Sequence, residues 1–315
     1  MSPPTTPPDF PHSQNPLARL PIPCDTSRMA PHRRLSSAVA FLVLTIAAQA
    51  GDFIRVDEDD SAARLQTAVT RYEKNGESVE LIGAVHIADK AYYETLTTRF
   101  AGYDALLFEM IGGEKYAAHE KQADEPAKKE KDLSGLHQIY DTVARHLKLT
   151  GQVESIDYRA ENFVHADLTL AEFGEMQAQR GESLLGFAMK AAKSDPDAPN
   201  QPDPVKLLKA LLSGNSNLLK LEIVHTLGRG DDQIAAFAGE SVIISDRNER
   251  CLEVMQRELA AGHSNLGIFY GAAHFPDMEK RLLDLGFKRT NQEWLTAWNI
   301  PKAVEKPFID LENAS

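Results

Sequence analysis

Leu81-Ile82-Gly83-Ala84-Val85-His86 and, far downstream, Gly267-Ile268-Phe269-Tyr270-Gly271-Ala272-Ala273-His274 spell one phrase twice, an apolar run followed by Gly-x-x-His. In each copy the run is short, bounded and rich in β-branched or aromatic residues. That is the mark of a buried strand, and the glycine falls where the strand ends. Helical patterns follow both copies, over Ala88 to Phe100 and Pro276 to Leu285, so each histidine is predicted at a strand-to-helix corner. Open α/β sheets present ligands at such corners. Two histidines delivered the same way predict one shared site; the alternative for each is to cap its strand by hydrogen-bonding backbone.

Outward from the first copy, Leu65 to Tyr72 and Ser78 to Ala84 read as two strands joined by the turn Lys74-Asn75-Gly76, a hairpin signal. A helix over Lys90 to Phe100 leads to Ala105-Leu106-Leu107-Phe108-Glu109-Met110, a continuous apolar run of the kind found in central strands, with Glu109 near its end. Helix between strands implies a crossover unit. Glu114 to Asp132 is dense in Lys, Glu and Ala and reads as a solvated loop or helix. Helical periodicity resumes over Leu133 to Leu147, a short strand is expected at Val153 to Tyr158, and Thr169 to Leu219 reads as helices broken by the Pro/Asp/Asn-rich stretch Ser194 to Pro204. From Asp231 come a helix through Ala238 and Ser241, a long helix over Asp246 to Ala261, the second Gly-x-x-His strand, a helix to Leu285 and a closing strand at Trp294 to Ile300. The expected fold class is α/β of mixed α+β character, a mixed central sheet flanked by helices with a helical middle lobe at about residues 133–225.

The amino terminus reads as a leader. Met29 to Ala50 carries Arg33 and Arg34, the apolar stretch Ala38 to Ala48, and Ala48-Gln49-Ala50 before Gly51, the pattern of an export signal cut after Ala50. Residues 1–28 are rich in Pro, Ser and Thr, and Met29 is a plausible start. Residues 51–315 then form one domain, expected in the periplasm or secreted. The apolar run is shorter than the roughly 20 residues a membrane span needs, and no Cys follows the cleavage site to carry a lipid. Removing residues 1–50, with four basic and two acidic side chains, takes the net charge from −12 to −14. Such an acidic body argues against nucleic-acid binding. After cleavage only Cys251 remains, in the helical pattern Leu252, Met255, Leu259, and it reads as a buried apolar residue.

Two neutral imidazoles and a carboxylate are a common first shell for a divalent transition metal with an open position. His86, His274 and Glu109 meet that description if their strands are neighbours. Zn, Mn, Co and Fe suit such a donor set alike. His119-Glu120 has no second histidine at HExxH spacing, no Gly-x-Ser-x-Gly elbow occurs, and no Gly-rich phosphate loop follows a strand. Asp246 or Ser245 reads as an N-cap, which places Arg247 and Asn248 in a first helical turn where a cation needs a partner. That partner is a bound carboxylate or a nearby acid such as Glu249 or Glu240. His165 and Asp167 precede a helix for which Asp167 or Thr169 reads as the N-cap, with Glu172 three residues after Thr169 completing a capping box; His165 is a candidate for the site's lining. Asp277 reads as a favourable acid in its helix's first turn.

The sequence resembles the TraB/PrgY/GumN group, which includes the Tiki proteins and belongs with the wider EreA/ChaN-like fold. The resemblance covers roughly residues 60–300. It rests on Gly83-Ala84-Val85-His86, Tyr103-Asp104-Ala105-Leu106-Leu107-Phe108-Glu109, Ser245-Asp246-Arg247-Asn248 and Gly271-Ala272-Ala273-His274, in that order, with Phe163 to Thr169 similar to the family's entry into its helical middle. It implies His86 and His274 as metal ligands, Glu109 as ligand or general base, and Arg247 as binding an anionic substrate group or stabilising developing negative charge; Asn248 and His165 are further candidates for binding substrate. The expected function is an exported metal-dependent hydrolase, peptidase-like, acting on a peptide or small-molecule substrate. The alternative is a non-catalytic periplasmic binding protein for a metal, a haem-like ligand or a signal peptide.

Overall fold

A computed structural model describes residues 53–116, 141–182, 204–227 and 241–302. Its centre is a mixed seven-stranded sheet flanked by helices. The hairpin forms as expected. Strand β2 (Ala62–Lys74) turns at Asn75 (φ 51°) and Gly76 (φ 89°) into β3 (Glu77–Ala84), the two left-handed residues of a type I′ hairpin turn. Strand β9 (Lys288–Pro301) covers one edge of β2 from Ala62 to Glu73. The other edge is shared, with β1 (Ile54–Glu58) on Ala63 to Thr67 and β3 on Val69 to Lys74. Where those two strands meet, Ala68 donates to the Phe53 carbonyl, and a Cβ on Gly83 would lie 2.9 Å from Thr67 Cβ. The first motif's glycine is therefore needed for sheet packing.

Beyond β3 the sheet is parallel, in the order β3, β8 (Asn265–Gly271), β5 (Ala105–Phe108), β7 (Phe163–His165). Ala84 pairs with Gly271, Phe108 with Phe269 and Phe108 with His165, so the four strands end together along one rim. Burial is almost continuous along β3, β5 and β8, as expected of parallel strands covered on both faces. Helix α1 (Lys90–Phe100) makes the crossover from β3 to β5 and buries Tyr92, Tyr93, Leu96 and Phe100. Its Tyr93 hydroxyl donates to the Val85 carbonyl and pins the loop that carries His86. Phe100 packs on Phe269 with centroids 4.9 Å apart.

Several local expectations change. Val153 to Tyr158 is not a strand: Gln152–Ser155 is a helical turn, α2, closed by Ile156 N–H on the Gln152 carbonyl. Of its apolar residues, Val153 is 45% exposed while Ile156 and Tyr158 are buried, so the segment has no strand-like buried face. Just before it, β6 (Thr150–Gly151) pairs with β4 (Ile87–Ala88). The middle third supplies β7 to the main sheet as well as helices over 141–147, Leu170–Arg180 (α3), Pro204–Leu212 (α4) and Ser216–Leu227 (α5). Strand β1 was not foreseen, and β9 starts six residues earlier than expected because its polar first half pairs along β2. The leader, residues 194–203, the helix expected before Ser241 and most of the charged segment after Tyr116 lie outside the described residues. Among the described residues no helix is long and apolar enough to cross a membrane.

Candidate functional site

The rim where the parallel strands end collects the predicted residues. Glu109 follows β5 directly, its N–H donating to the Phe269 carbonyl of β8. His86 lies two residues beyond β3, its carbonyl accepting from Gln152 N–H. His274 ends a 3-10 turn, Ala272–His274, that links β8 to helix α7 (Phe275–Asp284). Its imidazole is buried and packs edge-on against Tyr270.

Glu109 is the hub. Its Oε2 accepts from Gly271 N–H at 2.6 Å, its Oε1 accepts from Arg247 Nη2 at 2.6 Å, and Oε1 stands 3.6 Å from His274 Nε2. A Cβ on Gly271 would lie 3.4 Å from Oε2, so the second motif's glycine lets the carboxylate rest against the backbone. Burial pushes the Glu109 carboxyl up, but Arg247, His274, His86 and the Gly271 N–H outweigh it and bring the pKa down to about 2. His86 is thus close enough for its charge to act on Glu109.

Asn248 sets the state of His274. The Asn248 Nδ2 donates to the His274 carbonyl at 3.0 Å and to Asp277 Oδ2 at 2.8 Å, which fixes the amide's orientation. Its Oδ1 then faces His274 Nδ1 at 2.6 Å, and an amide oxygen can only accept. Nδ1 therefore carries the proton, and Nε2 offers a bare lone pair toward Glu109. Burial, opposed by Glu109, lowers the His274 pKa to about 4, so the ring is neutral near pH 7.

Arg247 opens helix α6 (Arg247–Ala260), but not at a free helix end. Asp246 is helical and makes no side-chain cap, and a π-helical turn, Val242–Asp246, precedes it. Among the described residues the partners of Arg247 are acids from elsewhere in the chain and one carbonyl, not Glu249: Nε and Nη2 donate to Asp167 at 2.9 and 2.6 Å, Nη2 to Glu109, and Nη1 to the Ile243 carbonyl at 3.3 Å. Four of the five guanidinium N–H groups are thereby taken. With a side chain 7% exposed, Arg247 is held between Glu109 and Asp167 in this arrangement.

His165 sits at the margin, its Nε2 2.7 Å from the Met110 carbonyl, steadying the turn after Glu109. The capping box forms at Thr169 and Glu172 as expected, and Asp277 lies in the first turn of α7. Cys251 is fully buried. Two participants were missed. Of the two expected N-cap candidates, Asp167 and Thr169, Thr169 does the capping, which leaves Asp167 to pair with Arg247; a second acid just before a complete capping box was the available signal. Gln152 donates its amide to Tyr158 at 2.8 Å beside His86, and its buried Oε1 has no partner among the described residues. Nothing in its local sequence pointed to the site.

Among the described residues no three His, Cys, Asp or Glu side chains are gathered closely enough to hold a metal. A neutral imidazole with its far nitrogen hydrogen-bonded is the usual state of a metal-bound histidine, and Glu109 stands 3.6 Å from His274 Nε2, but these two donors alone fall short of a metal's first shell. No family model, curated protein or solved structure matches the chain.

Proposed function

We propose that the chain is an exported metal-dependent hydrolase, peptidase-like and of the TraB/PrgY/GumN (Tiki-like) kind, with His86, His274 and Glu109 holding a divalent Zn, Mn, Co or Fe ion. The observation that carries this reading is the bare Nε2 of His274, held toward an anionic Glu109 by the Asn248 hydrogen bond to Nδ1. His86, on the loop after the adjacent strand and only partly buried, would be the third donor. Such an ion, when bound, polarises a carbonyl or makes a nucleophile of water.

The chain's own residues divide the remaining work. Gly271 N–H and Arg247 orient Glu109, and Asn248 with Asp277 orients His274. Arg247, His274, His86 and the Gly271 N–H hold the Glu109 carboxyl below the usual carboxylate range, which suits it better to a ligand's role than to that of a general base. Gln152 Oε1 and the Tyr158 hydroxyl offer polar contacts to a bound amide beside His86.

That same low basicity favours a second reading, a periplasmic binding protein that holds a metal or a metal-bearing ligand without turnover. The test is metal content and calorimetric affinity of the purified protein beside a His86→Ala/His274→Ala double variant. Stoichiometric metal in the wild type, lost in a folded double variant, supports the site; equal metal in both removes it. A peptide-library cleavage screen on the metal-loaded protein then separates hydrolase from binder.

A further inference from the structure

Most of the exposed large apolar side chains gather on one helical hairpin. Among the described residues, Val205, Leu208, Leu211 and Leu212 stand out on α4 and Leu218 on α5, while Val153, Leu170 and Leu283 are scattered singly. Scattered exposure is ordinary, whereas a cluster marks an interaction surface. The two faces of α4 are unlike. Leu207 and Ala210, three residues apart, pack into the core. The opposite side carries Val205, Leu208 and Leu212 at the i, i+3, i+7 spacing of a single stripe, with Leu208 55% and Leu212 77% exposed.

Charge decides what covers the stripe. The chain carries 46 acidic against 34 basic side chains, yet from Pro204 to Leu221 no acid occurs. Lys206 and Lys209 stand exposed along one side of the stripe. Lys220 is buried and faces Asp89 at 3.6 Å, so the exposed charge of this stretch is wholly positive. A second copy would set the same lysines against one another across a two-fold interface. A protein partner's patch is ordinarily anchored by Tyr, Trp, Met or Arg, and between Pro204 and Leu227 there is none. An aliphatic stripe edged by lysines fits an anionic bilayer, where leucines enter the acyl boundary and ammonium groups stay among the headgroups. We propose that α4 is a peripheral membrane-binding element, laying Val205, Leu208 and Leu212 into an anionic lipid surface with Lys206 and Lys209 at the headgroups. At nine residues the helix lies on such a surface and does not cross it. Repulsion of the acidic body is screened beyond about 8–10 Å in physiological salt.

The experiment uses the full chain with Cys24→Ser and an environment-sensitive fluorophore attached through Leu212→Cys; Cys251 is buried and escapes the label. A control carries the label through Leu283→Cys, at an exposed leucine of α7. Both are titrated with vesicles of phosphatidylcholine alone and of phosphatidylcholine with an equal part of phosphatidylglycerol. With the mixed vesicles the label at position 212 should shift to the blue and be quenched by brominated lipid, while the label at position 283 stays unchanged. Each label reports on its own position, so membrane contact elsewhere in the chain does not mimic the result. Half-saturation should require about tenfold more lipid, or beyond, after Lys206→Glu/Lys209→Glu and after Leu208→Ser/Leu211→Ser. These four side chains are exposed, and circular dichroism melting checks that the variants fold. No shift at position 212, an equal shift at position 283, or unchanged half-saturation in either variant overturns the proposal. So does a concentration-dependent dimer in sedimentation that Leu208→Ser/Leu211→Ser dissolves, which assigns the face to a second copy. A melting temperature lowered by that variant, with no vesicle response in the parent chain, overturns it in favour of cover by the chain's own residues.

Discussion

Asn248 and His274 hold each other at two points, Oδ1 against the ring Nδ1 at 2.6 Å and Nδ2 on the histidine's own carbonyl at 3.0 Å. Ring and backbone are thereby fixed together. The wild-type ring should appear in ¹⁵N spectra near pH 7 as the Nδ1–H tautomer. Asn248→Ala should give a mixture of tautomers and lose about 1–3 kcal/mol of stability, the cost of leaving buried groups unpaired. An unaltered tautomer in a folded variant would show that Asn248 does not set it.

The acid response of the metal-free protein follows from two depressed pKa values. For His274, lowered from 6.5 to about 4, native and unfolded chains are both neutral above pH 6.5. Between 6.5 and 4 only the unfolded chain gains the proton, so stability falls by about 1.4 kcal/mol per pH unit, up to about 3 kcal/mol. Glu109, lowered from 4.5 to about 2, contributes stability that is full above pH 4.5 and is lost as pH falls toward 2. Urea unfolding at stepped pH should show the first slope in wild type and not in His274→Gln.

The two motif glycines should respond differently to substitution. Gly83→Ala forces a Cβ to within 2.9 Å of Thr67 Cβ and 3.3 Å of the Ala68 carbonyl, a clash in the sheet expected to cost about 1–3 kcal/mol. Gly271→Ala meets Glu109 Oε2 at 3.4 Å and His274 Cδ2 at 3.9 Å. It should fold with a smaller loss while displacing the carboxylate and weakening metal affinity. Denaturation and metal titration of both variants check the contrast; a sheet indifferent to Gly83→Ala would contradict the packing described.

Cys251 is fully buried, and burial pushes its thiol well above the ordinary range. A disulfide reagent should therefore modify it only as fast as the native protein opens. Rapid labelling under native conditions would place the thiol elsewhere.

Much of the sheet was legible because its signals are local. The Asn75-Gly76 turn, the two strands that end in Gly-x-x-His and the crossover helix to Glu109 are written in runs of neighbouring residues whose period or turn chemistry acts at short range. Val153 to Tyr158 misled because a few apolar residues in a short segment do not reveal which of them is buried. Strand β1 and the polar half of β9 carry little pattern of their own; they are strands because β2 offers them an edge.

At the site, sequence by itself determined that two histidines and a carboxylate leave strands at the same kind of corner, since strand ends and glycine positions are local properties. Only the tertiary structure decided what those groups are chemically. The strand order places β8 between β3 and β5, which brings Gly271 N–H onto Glu109. The packing of α6 against that rim aims Arg247 at Asp167 and Glu109, and Asn248 at His274. Charge state and tautomer depend on partners distant in the chain and on exclusion of water, and neither is encoded in the spacing of a motif.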